Sequence, residues 1–145
     1  MKVKVRVPAT SANLGPGFDV AGLALTLYNT FTFELADQGL NITGCPEQFC
    51  NEENMTYQAF KQAAEICGLE YQGVNIECSG DVPYTRGLGS SSTCIVAGIV
   101  GAFAFKDKVE DRQEILELAT AIEGHPDNVA PANFWRLDSI SNGRR

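Results

Sequence analysis

The chain opens with a strict alternation of basic and apolar residues, in which Val3, Val5 and Val7 occupy every second position. Successive side chains of a β-strand point to opposite faces of a sheet, so this pattern predicts a strand with one buried face over residues 2–7. Proline cannot donate a backbone hydrogen bond to a neighbouring strand. We therefore predict that this strand ends at Pro8.

Two later segments also have the pattern of strands. Alternation returns over Ala24–Leu35, which predicts one long strand or two short ones, and the apolar run Val74–Cys78 predicts another. Residues 37–50 are rich in turn-forming residues, and their pattern does not indicate which structure they form.

Three segments have the pattern of helices. They are Asn51–Cys67, the nearly all-apolar run Cys94–Phe105, and a segment that ends near Glu123 and begins with the capping-box spacing of Asp111 and Glu114. The apolar stripe of the first helix is predicted to be Met55, Ala59, Ala63 and Ile66. The buried stripe of the last helix is predicted to be Ile115, Leu118, Ala119 and Ile122.

Composition narrows the class of protein. A length of 145 residues, with 44% hydrophobic and 20% charged residues, predicts a single soluble globular domain. The net charge of −7 argues against nonspecific binding to nucleic acid or to anionic membranes, because both carry negative charge. The five cysteines are odd in number and lack CxxC spacing, which predicts reduced thiols in a cytoplasmic protein rather than disulfides or a zinc site.

Residues 81–93, DVPYTRGLGSSST, form a glycine-rich turn between the strand Val74–Cys78 and the apolar helix. The first amides of a helix have no partner within the helix, and the helix dipole adds positive charge there, so such a turn can bind phosphate. The hydroxyl groups after Gly89 can cap the helix or ligate a metal ion. From the residues alone, a structural turn with serine caps explains this segment equally well.

Two other polar loops carry residues able to bind a ligand. Residues 9–19 contain Asn13 and Asp19, and residues 123–132 contain His125 and Asp127. Both loops could instead be structural turns whose polar side chains bond their own backbone. Glu117 lies off the apolar stripe of its helix, where it is either a solvated charge or a carboxylate directed at a metal ion.

Three motifs together resemble the GHMP small-molecule kinases, and within that family its homoserine-phosphorylating members. They are PATSANLGPGFD at residues 8–19, RGLGSS at residues 86–91 and GHPDNVAPA at residues 124–132. The resemblance implies an α+β fold like domain 2 of ribosomal protein S5, with a left-handed βαβ crossover. It also implies transfer of the γ-phosphate of ATP to L-homoserine, a step of threonine biosynthesis.

The resemblance further implies a role for individual residues. Ser91 and Glu117 would hold Mg²⁺, and Asn13, Asp19 and His125 would hold L-homoserine. Asp127 matches a position that acts as a base in some family members, and its role here is left open. The ATP phosphates would be bound by Pro83, Tyr84, Thr85, Arg86, Gly87, Leu88, Gly89, Ser90, Ser91, Ser92 and Thr93. The complete enzyme would form a homodimer.

The last residues depart from the family pattern. Family members continue into a C-terminal domain, whereas residues 135–145, WRLDSISNGRR, are polar and have no helical or alternating pattern. We therefore expect an ATP-binding domain over residues 1–134, a divergent and disordered tail over 135–145, no C-terminal domain, and little activity of this chain alone. The alternatives are a noncatalytic nucleotide-binding fragment, a GHMP kinase for another small alcohol, and an α+β domain with purely structural loops.

Overall fold

The computed structural model describes residues 1–12, 22–80, 90–109, 111–124, 129–132 and 135–141. These residues form a five-stranded sheet and four α-helices, which confirms the predicted α+β class. The strands are β1 (Lys2–Ala12), β2 (Gly22–Ala36), β3 (Gly39–Thr43), β4 (Gly73–Gly80) and β5 (Arg136–Ser141). The helices are α1 (Met55–Cys67), α2 (Ser90–Ala104), α3 (Arg112–Glu123) and α4 (Val129–Ala132), and a short 3-10 helix covers Glu47–Phe49.

The sheet is mixed and has the strand order β3-β4-β2-β1-β5. β1 is antiparallel to both of its neighbours, β2 is antiparallel to β4, and β3 is parallel to β4. The chain leaves β3, forms α1 and returns as β4, so these three elements make a βαβ unit. The left-handed crossover implied by the family resemblance stays a prediction.

The first strand does not end at Pro8, and that prediction was wrong. β1 continues beyond the proline, and its pairing with β2 shifts register between Pro8 and Thr10. A register shift interrupts the hydrogen-bond ladder, and a proline that donates no hydrogen bond is tolerated at such a point. The predicted buried face is confirmed, because Val3, Val5 and Val7 are all fully buried.

Helix α1 begins later than predicted because Asn54 is its N-cap, with a side chain that accepts a hydrogen bond from the backbone of Tyr57 at 3.1 Å. The predicted apolar stripe is only partly right. Met55 and Ile66 are 48% and 53% exposed, whereas Phe60 is fully buried. The buried face is therefore rotated away from the predicted one, because the large aromatic side chain takes the central position.

Helix α3 begins as predicted. The Asp111 carboxylate accepts a hydrogen bond from the backbone N–H of Glu114 at 2.9 Å. Ile115 and Ala119 are buried. Leu118 and Ile122 are partly buried against the same core.

The core lies where β1, β2 and β4 pack against the helices. Phe33 of β2 stacks on Phe60 of α1 with ring centroids 5.5 Å apart. Helix α2 approaches both elements closely, because a Cβ at Gly98 would overlap the Thr56 carbonyl and a Cβ at Gly101 would lie 2.7 Å from the Phe33 ring. Within the described ranges, no helix combines the length and the apolarity needed to cross a membrane.

Two segments are more regular than the sequence predicted. Residues 37–50 contain β3 and the 3-10 helix. Residues 135–141 differ from the expected disordered tail, because Trp135 is buried and β5 pairs with β1, where Leu137 and Ile140 lie opposite Val5 and Val3. A register shift in this pairing breaks the two-residue period, so alternation is not visible in the sequence. The domain boundary after residue 134 stays a prediction.

Candidate nucleotide site

A cavity of about 430 Å³ opens where the end of β4, the segment after β3 and the start of α2 meet. Its lining includes Gly80, the last residue of β4, and Ser91, in the first turn of α2. The glycine-rich segment that connects these two residues lies outside the described ranges at positions 81–89. The volume is in the range of small-molecule sites.

The wall of the cavity combines apolar side chains with a few polar ones. Phe31, Phe49 and Met55 contribute apolar surface, and Asn29 and Asn51 contribute amide groups. Phe49 and Met55 are 43% and 48% exposed, so part of this apolar surface is accessible from solvent. Such a lining suits a flat heterocycle that has polar atoms at its edge.

Three hydroxyl side chains are described in the first turn of α2, those of Ser91, Ser92 and Thr93. The Ser91 hydroxyl donates a hydrogen bond to Glu123 Oε1 at 3.0 Å. The Thr93 hydroxyl accepts one from Asn29 Nδ2 at 3.1 Å, which ties α2 to β2. The Ser92 hydroxyl is fully buried and bonds to no described residue.

The carboxylate that meets Ser91 was not among the predicted site residues. Glu123 is the last residue of α3, and it is half-buried against the start of α2. The predicted metal ligand Glu117 is exposed and accepts a hydrogen bond from Gln113 at 3.0 Å. A sequence signal for Glu123 was available, because it follows the buried Ala119 by four residues and so lies on the same face of the helix.

Three cysteine thiols, Cys45, Cys78 and Cys94, line the cavity. Burial, the Cys50 thiol and other nearby thiols raise the pKa of Cys45 to about 11. Burial is also the main cause that raises the pKa of Cys78 to about 12, and it raises the pKa of Cys94. These groups are therefore neutral thiols at physiological pH and add no charge to the cavity.

Most of the predicted binding residues lie outside the described part of the chain. These are Asn13, Asp19, residues 83–89, His125 and Asp127. For Ser90, the structure describes only the backbone, which begins α2. The roles predicted for these residues, and those predicted for Ser91 and Glu117, stay predictions.

The pair formed by Ser91 and Glu123 fits a hard divalent cation. A hydroxyl oxygen and a carboxylate oxygen are the ligand types that Mg²⁺ prefers, and Mg²⁺ commonly takes only one or two protein ligands. Two ligands of this kind lie within 3.0 Å of each other beside the cavity. Across the described residues, no group of three or more His, Cys, Asp or Glu side chains is arranged to hold a metal by itself.

Comparison with known proteins places the chain in a family of small-molecule kinases. Residues 54–134 match the model of the GHMP kinases N terminal domain, and the chain belongs to this family. Among its relatives, the homoserine kinase of Clostridium beijerinckii is 56% identical over 131 residues, and that of Clostridium botulinum strain Eklund 17B is 53% identical over 133 residues.

A solved structure of a homoserine kinase is also similar to this chain. The homoserine kinase from Cytophaga hutchinsonii superposes on 94% of this chain with a TM-score of 0.76 and 30% sequence identity. The chain spans about half the length of these relatives, with 44% and 45% of the two clostridial proteins and 48% of the solved one. A mevalonate kinase from Methanococcus jannaschii has a TM-score of 0.72 at 17% identity, which shows a common fold.

Proposed function

We propose that this chain forms the nucleotide-binding half of an ATP-dependent kinase that phosphorylates the side-chain hydroxyl of L-homoserine. The observation that carries the proposal is that Gly80, which precedes the glycine-rich segment, and Ser91, which belongs to the predicted phosphate-binding residues, line one cavity. The choice of substrate is supported by relatives of at least 53% identity that are named homoserine kinase.

In this proposal the base of ATP occupies the cavity, and the phosphates lie along residues 83–93 at the start of α2. The unpaired amides of the first helical turn and the positive end of the helix dipole stabilise phosphate charge. A chain of net charge −7 offers no general attraction to an anion. The affinity for phosphate therefore has to come from backbone amides, bound metal and the few basic side chains near the loop.

Ser91 would hold Mg²⁺ together with a carboxylate of α3. The family resemblance favours Glu117 for this role, and the 3.0 Å hydrogen bond from the Ser91 hydroxyl favours Glu123. Bound Mg²⁺ neutralises phosphate charge and aligns the γ-phosphoryl group for transfer, a reaction that depends mainly on positioning and electrostatic stabilisation. The contribution of Ser91 is to present its hydroxyl oxygen in a fixed orientation beside the phosphate-binding segment.

The proposal assigns L-homoserine to Asn13, Asp19 and His125, with the Asp19 carboxylate opposite the substrate amino group. The role of Asp127 is left open, because charge stabilisation can drive phosphoryl transfer without a general base.

The proposal also places the protein in the cytoplasm and assigns a homodimer to the complete enzyme. The alternatives are a half that binds nucleotide without turnover, and a kinase that acts on another small alcohol.

The proposed reaction can be tested in a chimera. Residues 1–134 would replace the matching part of the Clostridium beijerinckii relative, and ADP release would be followed with Mg-ATP and either L-homoserine or mevalonate. We expect ADP release that depends on L-homoserine and is absent with mevalonate. A folded chimera that binds Mg-ATP but releases no ADP with L-homoserine would contradict the proposed substrate.

The 145-residue chain alone is the second arm of this experiment. We expect little ADP release from it, because the relatives contain more than twice the sequence that this chain covers. Release by the chain alone that depends on L-homoserine would show that this half is sufficient for catalysis.

A further inference from the structure

Two cysteines beside the cavity lie close enough to react with each other. The sulfur atoms of Cys45 and Cys50 are 3.2 Å apart, and both residues are half-buried free thiols. A disulfide needs a sulfur–sulfur distance of about 2.05 Å, so the two atoms have to approach by only about 1 Å. Side-chain rotation can supply a movement of this size.

The backbone between the two residues holds them in this arrangement. The 3-10 helix Glu47–Phe49 closes the segment with hydrogen bonds from Phe49 N to Pro46 O at 2.8 Å and from Cys50 N to Glu47 O at 3.0 Å. The Cys50 thiol also lies 3.6 Å from the carbonyl oxygen of Cys45. The pair is thus part of one compact turn rather than of two independent loops.

We propose that Cys45 and Cys50 form a reversible intrachain disulfide in the wall of the cavity. The oxidant is a low-molecular-weight disulfide of the glutathione type. One cysteine thiolate attacks it, forms a mixed disulfide and releases the first small thiol. The second cysteine thiolate then attacks the mixed disulfide and releases the second small thiol. Two protein thiols are oxidised, one small disulfide is reduced to two thiols, and the two protons pass to the released thiolates.

This disulfide would change the surface that a ligand contacts. Cys45 lines the cavity, and so does Phe49, which lies between the two cysteines. The Phe49 carbonyl accepts a hydrogen bond from Asn54 Nδ2 at 2.9 Å, and Asn54 is the N-cap of α1. A sulfur movement at Cys50 is therefore transmitted to Phe49 and to the start of α1, both in the cavity wall. The expected weaker binding of nucleotide rests on the proposed function, whereas the disulfide itself does not.

Mass spectrometry of the 145-residue chain in glutathione redox buffers tests the assignment. We expect the intact chain to lose two hydrogen atoms in oxidising buffer and to regain them in reducing buffer, with one cross-link between Cys45 and Cys50 in the peptide map. Cys50→Ser should leave Cys45 with a glutathione adduct and no such cross-link. Cys67→Ser is the matched control, because Cys67 is buried in α1 beside the Ala64 and Ala102 carbonyls, and it should keep the cross-link.

The assignment is overturned if Cys45 and Cys50 both carry glutathione, or if either one pairs with Cys78 or Cys94.

Titration with Mg-ATP is the second measurement. We expect the oxidised chain to bind Mg-ATP at least about fivefold more weakly than the reduced chain, which is the lower end of the affinity changes commonly found between coupled sites. Equal affinity of the reduced and oxidised chains would overturn the effect on binding. If the folded, reduced chain binds no Mg-ATP, the proposed function fails for this chain. The mass spectra still show whether the disulfide between Cys45 and Cys50 forms.

Discussion

At the scale of single residues, the hydrogen bond from Ser91 to Glu123 connects the first turn of α2 with the last turn of α3. A hydrogen bond to a charged acceptor is stronger than one between neutral groups, but solvent reduces its net value at a half-buried site. It therefore both stabilises the fold and orients the hydroxyl that we propose as a metal ligand. These two contributions can be separated by measuring stability without ligand.

We predict that Glu123→Ala lowers the free energy of unfolding by about 1 kcal/mol, because the Ser91 hydroxyl loses its charged acceptor. Urea unfolding of Ser91→Ala, Glu123→Ala and the double variant gives the coupling energy. Glu117→Ala is the control and should cost less than about 0.5 kcal/mol, because an exposed side chain contributes little. A coupling energy of zero between Ser91 and Glu123 would contradict the hydrogen bond.

The Cys45 thiol gives a prediction about pH. Its pKa is raised to about 11, chiefly by burial. The reactive thiolate is therefore scarce at neutral pH, and its amount should rise about tenfold per pH unit until the pKa is reached. Alkylation of Cys45 by iodoacetamide, followed by peptide mass spectrometry, should show this rise up to about pH 11. A rate that levels off near pH 9 would show that Cys45 is not buried in this way.

The sequence offers candidate residues for the site, and it does not show the bonds that connect them. The glycine-rich segment and the hydroxyl groups after Gly89 were proposed from local chemistry, because loop amides and hydroxyls at a helix start have the same properties in any fold. The family resemblance then singled out Ser91. The partner of Ser91 was not predicted, because Glu123 is 32 residues away and its approach depends on how α2 and α3 pack. Contacts of this kind are set by tertiary structure and leave only a weak helical-face signal in the sequence.

At the scale of elements, the close contact between α1 and α2 depends on the absence of a side chain at Gly98. Overpacking of a well-packed core typically costs about 1–3 kcal/mol, which exceeds the helix propensity gained by replacing glycine with alanine. We predict that Gly98→Ala lowers the free energy of unfolding by about 1–2 kcal/mol in urea unfolding. Lys61→Ala on the exposed face of α1 is the control, and it should change stability by less than about 0.5 kcal/mol. Unchanged or increased stability of Gly98→Ala would contradict the close packing.

Trp135, the residue that precedes β5, gives the second prediction at this scale. Trp135 is 4% exposed, and the Arg112 guanidinium lies 4.2 Å from the centre of its ring and donates a hydrogen bond to its carbonyl oxygen. We predict that Trp135→Ala lowers the free energy of unfolding by about 3 kcal/mol, because it removes a large buried side chain. Arg136→Ala is the control at the adjacent exposed position. If Trp135→Ala were as stable as Arg136→Ala, the burial of Trp135 would be contradicted, and the prediction of a disordered tail would be supported instead.

The elements themselves were predictable where one face is buried over several residues. The alternation of β1 and the N-cap of α3 are local signals, and the structure confirms them. The N-cap of α1 at Asn54 was not predicted. β3 was missed because it is a short edge strand with a single buried residue, Ile42. β5 was missed because a register shift hides its period, and Pro8 was misread because the same kind of irregularity tolerates a proline.

At the scale of the whole molecule, the described chain is one mixed sheet whose helices cover the core, with the cavity at the point where β4 leads into α2. The family membership rests on the sequence match over residues 54–134 and agrees with this arrangement. The chain covers about half of its named relatives, so its own contribution is best tested as ligand binding rather than as turnover.

Calorimetric titration of the 145-residue chain with Mg-ATP tests the central claim most directly. We predict saturable binding at one site, dependence on Mg²⁺, about tenfold weaker binding for Ser91→Ala, and unchanged binding for Lys61→Ala. A tenfold change corresponds to about 1.4 kcal/mol, the size expected for losing one polar ligand contact. A folded chain that binds no Mg-ATP, or a Ser91→Ala variant that binds as tightly as the parent, would contradict a nucleotide site at the start of α2.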